Sequence, residues 1–426
     1  MQKKVLWAMV IVLILSMVTT GFGKTVLRVT TWAGAAETAL DEAIISEFMK
    51  QNPEYDVVYE PVPTNYYQKI LTDIGAGTPP DVVLLDAEMV PRYVEGNFLT
   101  DLTPFLNRLV RENVPGADVN QFFPVLVNIF RSGRSLYAIP KDTSPVGVFY
   151  NKLMFDKFGV PYPPEDGWTW EAFEETARLL SVHDETWGFA FPSWVGVAVP
   201  IFWAGGGEIF NEDFTQTTGY LNSQTNVETY QFYWDMMKKG YAPDPQEASA
   251  LGGAGPLFYT QRVGMIITGR WFNVSVKAQI AQGAEIVLGA TTLPFRDISN
   301  KQTVTYASGW AVPSNVADKQ GAVRLAAWLG SAYAQTVRCL DGGLAISGQQ
   351  SIAQLQGETD AVDKVFISML DFARVPPGSQ TKFYRPTFET TWAEAFDRMY
   401  ITGESIQSAL NWAAVTIDDY IERGEF

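Results

Sequence analysis

Residues Val82, Val83, Leu84 and Leu85 form an unbroken apolar run closed by Asp86, and a strand with no polar face is stable only when both of its sides are covered. What precedes it has the right order to supply that cover. TVLRVTTWAG (Thr25 to Gly34) is β-rich and ends in a turn. ETALDEAIISEFMKQNP (Glu37 to Pro53) then has helical spacing, with Leu40, Ile44, Ile45 and Phe48 on one face and Asn52-Pro53 as a stop. YDVVYEPV is a second strand, and YYQKILTDIGAG a second helix closed by glycine. This β-α-β-α-β alternation specifies an α/β domain whose ligand contacts gather at the carboxyl ends of the strands. Trp32, Asp86 and Glu88 each lie just past a strand, so they share that rim.

The middle of the chain, from about Tyr150 to Gln282, has a different texture: rich in Trp, with Gly205-Gly206-Gly207 and a helix pattern from Asn226, as cap, to Gly240. AEIVLGATTLPF and TVTYASGWAVP read as strands and ADKQGAVRLAAWLGSAYAQTVRCL as a long helix. From Asp360 the pattern is helical, interrupted by VPPGSQTKFYRP. At 426 residues the chain exceeds one ordinary domain. It has no repeat, no low-complexity tract and no long Pro-rich linker, so its domains must be joined by short crossings.

Composition removes whole classes of function. A single cysteine, Cys339, excludes an intrachain disulfide and a thiolate zinc cluster, and a single histidine, His183, excludes a multi-histidine metal site. No cofactor or metal is expected. A formal charge of −16 argues against nucleic acid, whose phosphates would be repelled. At the N-terminus, Lys3 and Lys4 precede an apolar run from Val5 to Val18, followed by Gly21-Phe22-Gly23. The run is shorter than the ~20 residues of a membrane-spanning helix, so residues 1–23 read as a cleaved secretory signal, with an uncleaved anchor as the alternative. No cysteine follows it to carry a lipid. The expected mature protein is soluble and exported, periplasmic or extracellular.

Several segments resemble, in order and over nearly the whole mature chain, the extracellular solute-binding proteins of bacterial ABC importers, in the sugar-binding family that includes maltose-binding protein. They are FMKQNPEYDVVYEPV, ILTDIGAGTPPDVVLLDAEMVPRYVEGNFLTDL, LYAIPKDTSPVGVFYNKLMFDKFGV, WTWEAFEETARLL, KKGYAPDP, VGMIITGRW and SGWAVPSNVADKQGAVRLAAWL. The resemblance implies the two-lobed, type II periplasmic-binding fold: two α/β lobes, each built from two stretches of chain, with a ligand cleft at the hinge. It places the first lobe at residues 24–143 plus 293–343 and the second at residues 144–292 plus 344–426. It also implies a monomer that delivers a carbohydrate to a permease driven by a separate ATPase. TSPVGVFYN and GATTLPF, extended runs joining distinct units, are where a hinge would lie.

A sugar presents apolar C–H faces and a rim of hydroxyls, so its site needs flat aromatic platforms with carboxylates or amides around them. The chain has 13 Trp, 18 Tyr and 26 Phe to choose from. Trp32 is a platform or a cap over the sheet. By the resemblance, Trp271 in TGRW faces ligand, and Tyr384 and Arg385 in KFYRP lie on a segment that reaches it. Trp194 and Trp203 flank VGVAVPIF; one is a platform and the other core, with Trp194 the better placed beside Pro192-Ser193. Asp86 and Glu88 follow a buried strand, where an ionised group needs hydrogen-bond partners such as sugar hydroxyls. They could equally be acids favoured at a helix start. Asp142 beside the first crossing is a further candidate. Gly309 and Trp310 could bring backbone amides and an indole to the cleft, or Trp310 could be buried in its strand. Trp392, with Phe388 and Phe396 four residues either side, reads as core.

Catalytic readings find less support. Gly23-Lys24-Thr25 mimics the end of a phosphate loop, but Val18 stands where its first glycine should be. A Ser-His-Asp triad would depend on His183, in SVHDETWG, which has no nucleophile elbow nearby. A secreted glycosidase remains the alternative, since nothing in the spacing of 47 acids singles out a catalytic pair.

Overall fold

The computed structural model describes residues 23–182, 185–382 and 387–424. His183, Tyr384, Arg385 and the expected secretory signal before Gly23 lie outside them. Among the described residues a ten-stranded mixed sheet runs through the molecule. In chain order its strands are β1 (Thr25–Thr31), β2 (Tyr55–Pro61), β3 (Val82–Asp86), β4 (Ala138–Asn151) and β5 (Trp187–Ala190). They continue with β6 (Val263–Gly269), β7 (Leu288–Thr291), β8 (Thr303–Ala311), β9 (Ile346–Ser347) and β10 (Ala373–Arg374). The spatial order is β2-β1-β3-β8-β4-β6-β5, with β7 and β9 also paired to β4 and β10 to β8.

The first half is the α/β unit that the alternation specifies. β1 pairs in parallel with β2 and β3, joined through helices α1 (Ala35–Gln51) and α2 (Tyr66–Gly75). Val82 through Leu85 have no exposed surface, and Ile44, Ile45 and Phe48 of α1 pack into the same core. That core runs from Leu27 to Ile139 and takes up again at Ala307 through Ala334. A second core begins at Val146 and includes Leu293, Phe295 and Val304, then Phe388, Trp392 and the last helix. A third lies on the other face of the same strands: Val146, Val148 and Tyr150 of β4 point into one core and Phe149 into the other, the period of two of a strand covered on both sides. Trp392 is buried, its Nε1 donating to the carbonyl of Ser193 at 2.9 Å. Ser223, rather than Asn226, caps the helix Gln224–Lys238, because its hydroxyl accepts from the Asn226 N–H.

Among the described strands, β4 and β8 carry residues of both the first and the second core. Within β4 the partner changes at Pro145: Asp142 pairs with Ser308, Ser144 with Tyr306 and Pro145 with Thr305, whereas Val146 pairs with Gly269 of β6. The Pro145 carbonyl accepts from the Arg270 N–H at 3.1 Å, so the donor that a proline lacks lies on the β6 edge, at the end of that ladder. The Thr143 and Thr305 hydroxyls, 2.5 Å apart, and a bond from Thr303 Oγ1 to the Val146 carbonyl (2.6 Å) hold the crossing strands together. Two buried ion pairs flank this seam: Arg338 with Asp41 of α1 (2.6 Å) and Arg270 with Asp363 (2.5 Å). Removing one partner of such a pair costs about 3–5 kcal/mol, because the other charge is left buried.

Candidate functional site

A cavity of about 470 Å³ opens where the carboxyl ends of β1 and β3, the crossing strands and the chain after β6 converge. Its floor comes from the crossings. Ser308 of β8 pairs with Asp86 of β3 on one side and Asp142 of β4 on the other, so register alone sets three polar residues in one row across three strands. Asp142 Oδ1 accepts from the Ser308 hydroxyl at 2.7 Å, and its Oδ2 lies 2.6 Å from the Lys141 ammonium. Lys141 Nζ is also 2.8 Å from Glu37, in the first turn of α1, where the helix dipole favours an acid. Burial pulls the Lys141 ammonium toward neutrality, but Asp142 and Glu37 outweigh it and the pKa ends raised, so the group stays charged. Ala307 and, from the third crossing, Leu344 and Ala345 complete the floor.

The first wall carries Trp32, Asp86 and Glu37. Trp32 stands edge-on to Tyr66 (ring centroids 5.4 Å apart) and tilted over Tyr67 (6.1 Å). Tyr66 in turn donates to the Thr30 carbonyl and accepts from the Leu84 N–H, each at 2.9 Å, tying β1 to β3 beneath the indole. The Tyr67 hydroxyl donates to Asp86 Oδ2 at 2.7 Å and accepts from the Asp86 N–H at 3.2 Å, which fixes the carboxylate. Burial first, and then the Asp86 charge, push the Tyr67 phenol far above its usual pKa, so it remains a donor at any working pH.

The second wall is aromatic. Trp271 lies flat on the end of β6, where a Cβ on Gly269 would fall 2.0 Å from its ring; only glycine permits that approach. Its backbone N–H donates to Ser144 Oγ of the floor at 3.0 Å. Tyr306 (centroid 5.7 Å) and Trp194 (6.1 Å) pack against it at steep angles. Trp194 lies almost as closely on Gly196, where a Cβ would fall 2.2 Å from its ring, and is 49% exposed. The Tyr306 hydroxyl donates to the Gly196 carbonyl at 2.9 Å, locking the cluster.

Of the residues singled out from sequence, Trp32, Asp86, Asp142 and Trp271 line this cavity, and Trp194 borders it through Trp271. The other candidates among the described residues sit elsewhere. Glu88 is buried in the short turn Ala87–Met89. Trp203 is buried under the Arg374 guanidinium, 4.1 Å from its ring, and lines a separate cavity of the second unit. Gly309 and Trp310 do not reach the cleft: Trp310 pairs with Leu84 and Ile139, two positions inside the strand end, fully buried with Arg338 over its ring at 4.9 Å. A Cβ on Gly309 would meet Phe130 in the core at 2.8 Å. The cavity also draws on residues that sequence reasoning missed. Glu37 offered a signal, an acid at a helix start beside the Trp32 turn; Lys141, Ser144, Tyr306, Ser308, Leu344 and Ala345 offered none, because strand register and a third crossing bring them in. Among the described residues no group of three or more His, Cys, Asp or Glu side chains is placed to hold a metal ion, and no helix is long and apolar enough to cross a membrane.

Two α/β units joined through shared strands, with a cleft over the joint, make this the type II two-lobed fold of solute-binding proteins. The model of the family described as bacterial extracellular solute-binding protein matches residues 33–336, more than half of the chain, and the chain belongs to that family. A binding protein of Brucella abortus (strain 2308) is 24% identical over 245 residues, 56% of this chain and 56% of that protein; the match thus spans about half the length of such curated relatives. Among solved structures, an ABC substrate-binding protein of Listeria monocytogenes in complex with cycloalternan is similar at a TM-score of 0.79 and 24% identity, covering 95% of this chain and 100% of that one. The sugar-binding protein MalE of Xanthomonas citri is similar at 0.79 and 18%, covering 94% and 98%. A solute-binding protein of Thermotoga lettingae bound to α-D-tagatose is similar at 0.78 and 19%, covering 93% and 100%.

Proposed function

We propose that this chain is the exported substrate-binding component of an ABC importer and captures a carbohydrate, unaltered, in the cleft between its lobes. The observation that carries this reading is the pairing of an indole platform, Trp271, with carboxylates across the cleft, Asp86, Glu37 and Asp142. A pyranose face suits the indole, and the equatorial hydroxyls at its edge suit charged acceptors. A saccharide seated there touches both lobes, so it favours the closed arrangement by its differential affinity. The lobes would rotate about β4, β8 and the segment Leu344–Ala345, and a permease coupled to a separate ATPase would read the closed surface. We place the lobe boundary where the cores divide, within β8 between Val304 and Ala307, since Leu293, Phe295 and Val304 pack with the second core. The chain works as a monomer, with no cofactor.

A panel of maltose, maltotetraose, cycloalternan, D-tagatose and D-mannitol tests the reading by thermal shift. A ligand at a hundred times its Kd stabilises by about 2.7 kcal/mol. At least one member should raise the melting temperature and be recovered intact by chromatography. Shortened products would point to the glycosidase alternative, and no shift with any saccharide would remove the carbohydrate reading.

A further inference from the structure

Lys141 sits at an unusual place for a lysine. Its side chain is 4% exposed on the crossing strand, yet it faces the cavity and bridges two carboxylates that come from different elements. Glu37 belongs to the first turn of α1, and Asp142 to β4 at the row shared with Ser308 and Asp86. The other ionisable groups packed around it are already engaged. Asp41 of α1 is held by Arg338 at 2.6 Å and accepts from the Tyr59 hydroxyl at 2.8 Å. Arg338 is committed to that pair and to the Leu329 carbonyl at 2.7 Å. Arg270, on the far side, is taken by Asp363. The Cys339 thiol is pushed up to about 12 by burial and stays neutral. Asp86 is fixed by Tyr67. Lys141 therefore answers Glu37 at 2.8 Å and Asp142 at 2.6 Å.

We propose that Lys141 is a positioning residue: its ammonium clamps Glu37 and Asp142 so that the acceptor lone pairs left on the two carboxylates stay turned toward sugar hydroxyls. This rests on the carbohydrate reading of the same cavity. Without the cation, two like charges would face each other in a partly dehydrated pocket. Repulsion and burial would then both favour protonation of one of them. The wild-type clamp removes that titration. Binding by the native protein is therefore independent of pH where an unclamped pair would not be.

The test is calorimetry at pH 5, 6, 7 and 8 with maltotetraose, or with whichever saccharide of the panel gives the largest thermal shift. Wild type should bind with the same Kd at all four. Lys141→Met should bind at least tenfold more weakly at pH 8 and recover as the pH falls, because a shared proton takes the place of the ammonium. Lys141→Arg, which keeps the charge, should restore the flat profile. The double variant Lys141→Met, Glu37→Gln covers the case in which the single change prevents folding: it removes the like-charge pair and should bind weakly, but equally at every pH. A Lys141→Met protein with native affinity and a flat profile, or a double variant that binds as tightly as wild type, overturns the proposal. Failure of wild type to bind any saccharide instead overturns the carbohydrate reading.

Discussion

The two walls of the cleft solve opposite problems. On the first, each group is held by a partner: the carboxylates Asp86 by Tyr67 and Glu37 by Lys141, and the Trp32 ring by two tyrosine rings. On the second, Trp271 and Trp194 are held by shape, laid on Gly269 and Gly196, which leave no room for a side chain beneath them, while Tyr306 packs against both rings and is tied by its hydroxyl to the Gly196 carbonyl. The difference teaches that a platform is positioned by what is absent under it, and a carboxylate by the donors around it. It also divides the energetic work. Aromatic burial should supply most of the affinity, while the polar wall sets which hydroxyl pattern is accepted.

That division can be broken by substitution, measured as saccharide Kd by calorimetry with thermal melts as a folding control. Trp271→Ala should cost the most, about 3 kcal/mol, as a central aromatic anchor does, or roughly a hundredfold in Kd. Gly269→Ala leaves the indole in place chemically but lifts it off the strand, and should cost about 2 kcal/mol of binding through displacement and local strain. Indole fluorescence would shift even without ligand. Asp86→Asn keeps the shape of the polar wall and removes its charge, for about 1.5 kcal/mol. A larger loss from Asp86→Asn than from Trp271→Ala would invert the comparison. Tyr67→Phe should be mildest, about 1 kcal/mol, because it removes a donor to Asp86 rather than a group that touches ligand. Since the Tyr67 phenol is raised well above its usual pKa, its proton is retained through pH 9 and wild-type affinity should stay level there. A decline between pH 7 and 9 would show that a different group controls Asp86.

How far the site was legible follows from the same contrast. Trp32 and Asp86 could be found because strand ends can be found: β1 and β3 announce themselves by apolar content, and in a parallel sheet their carboxyl ends share a rim. Trp271 followed from the chain after β6, with the family resemblance as guide. For Trp310 the sequence left open a place in the cleft or burial in its strand; the structure has it buried, and Ser308, two positions earlier, is the residue opposite Asp86 at the end of β3 and Asp142 of β4. A bulge between Ser308 and Gly309 separates the cleft-facing row from the buried one, and local sequence carries no mark of it. Lys141 beside Asp142 reads as an ordinary charged pair. That it reaches Glu37, over a hundred positions earlier, depends on where α1 lands against β4.

The amino-acid order by itself determined the alternation of strand and helix, the buried central strand and the restriction to one cysteine and one histidine. These are local or compositional properties, written in the spacing of apolar residues and in counts. Only the tertiary structure decided which side chains share a cavity, because that depends on register between strands far apart in the chain. A shift of one residue there would turn Ser308 away and replace the polar row with core.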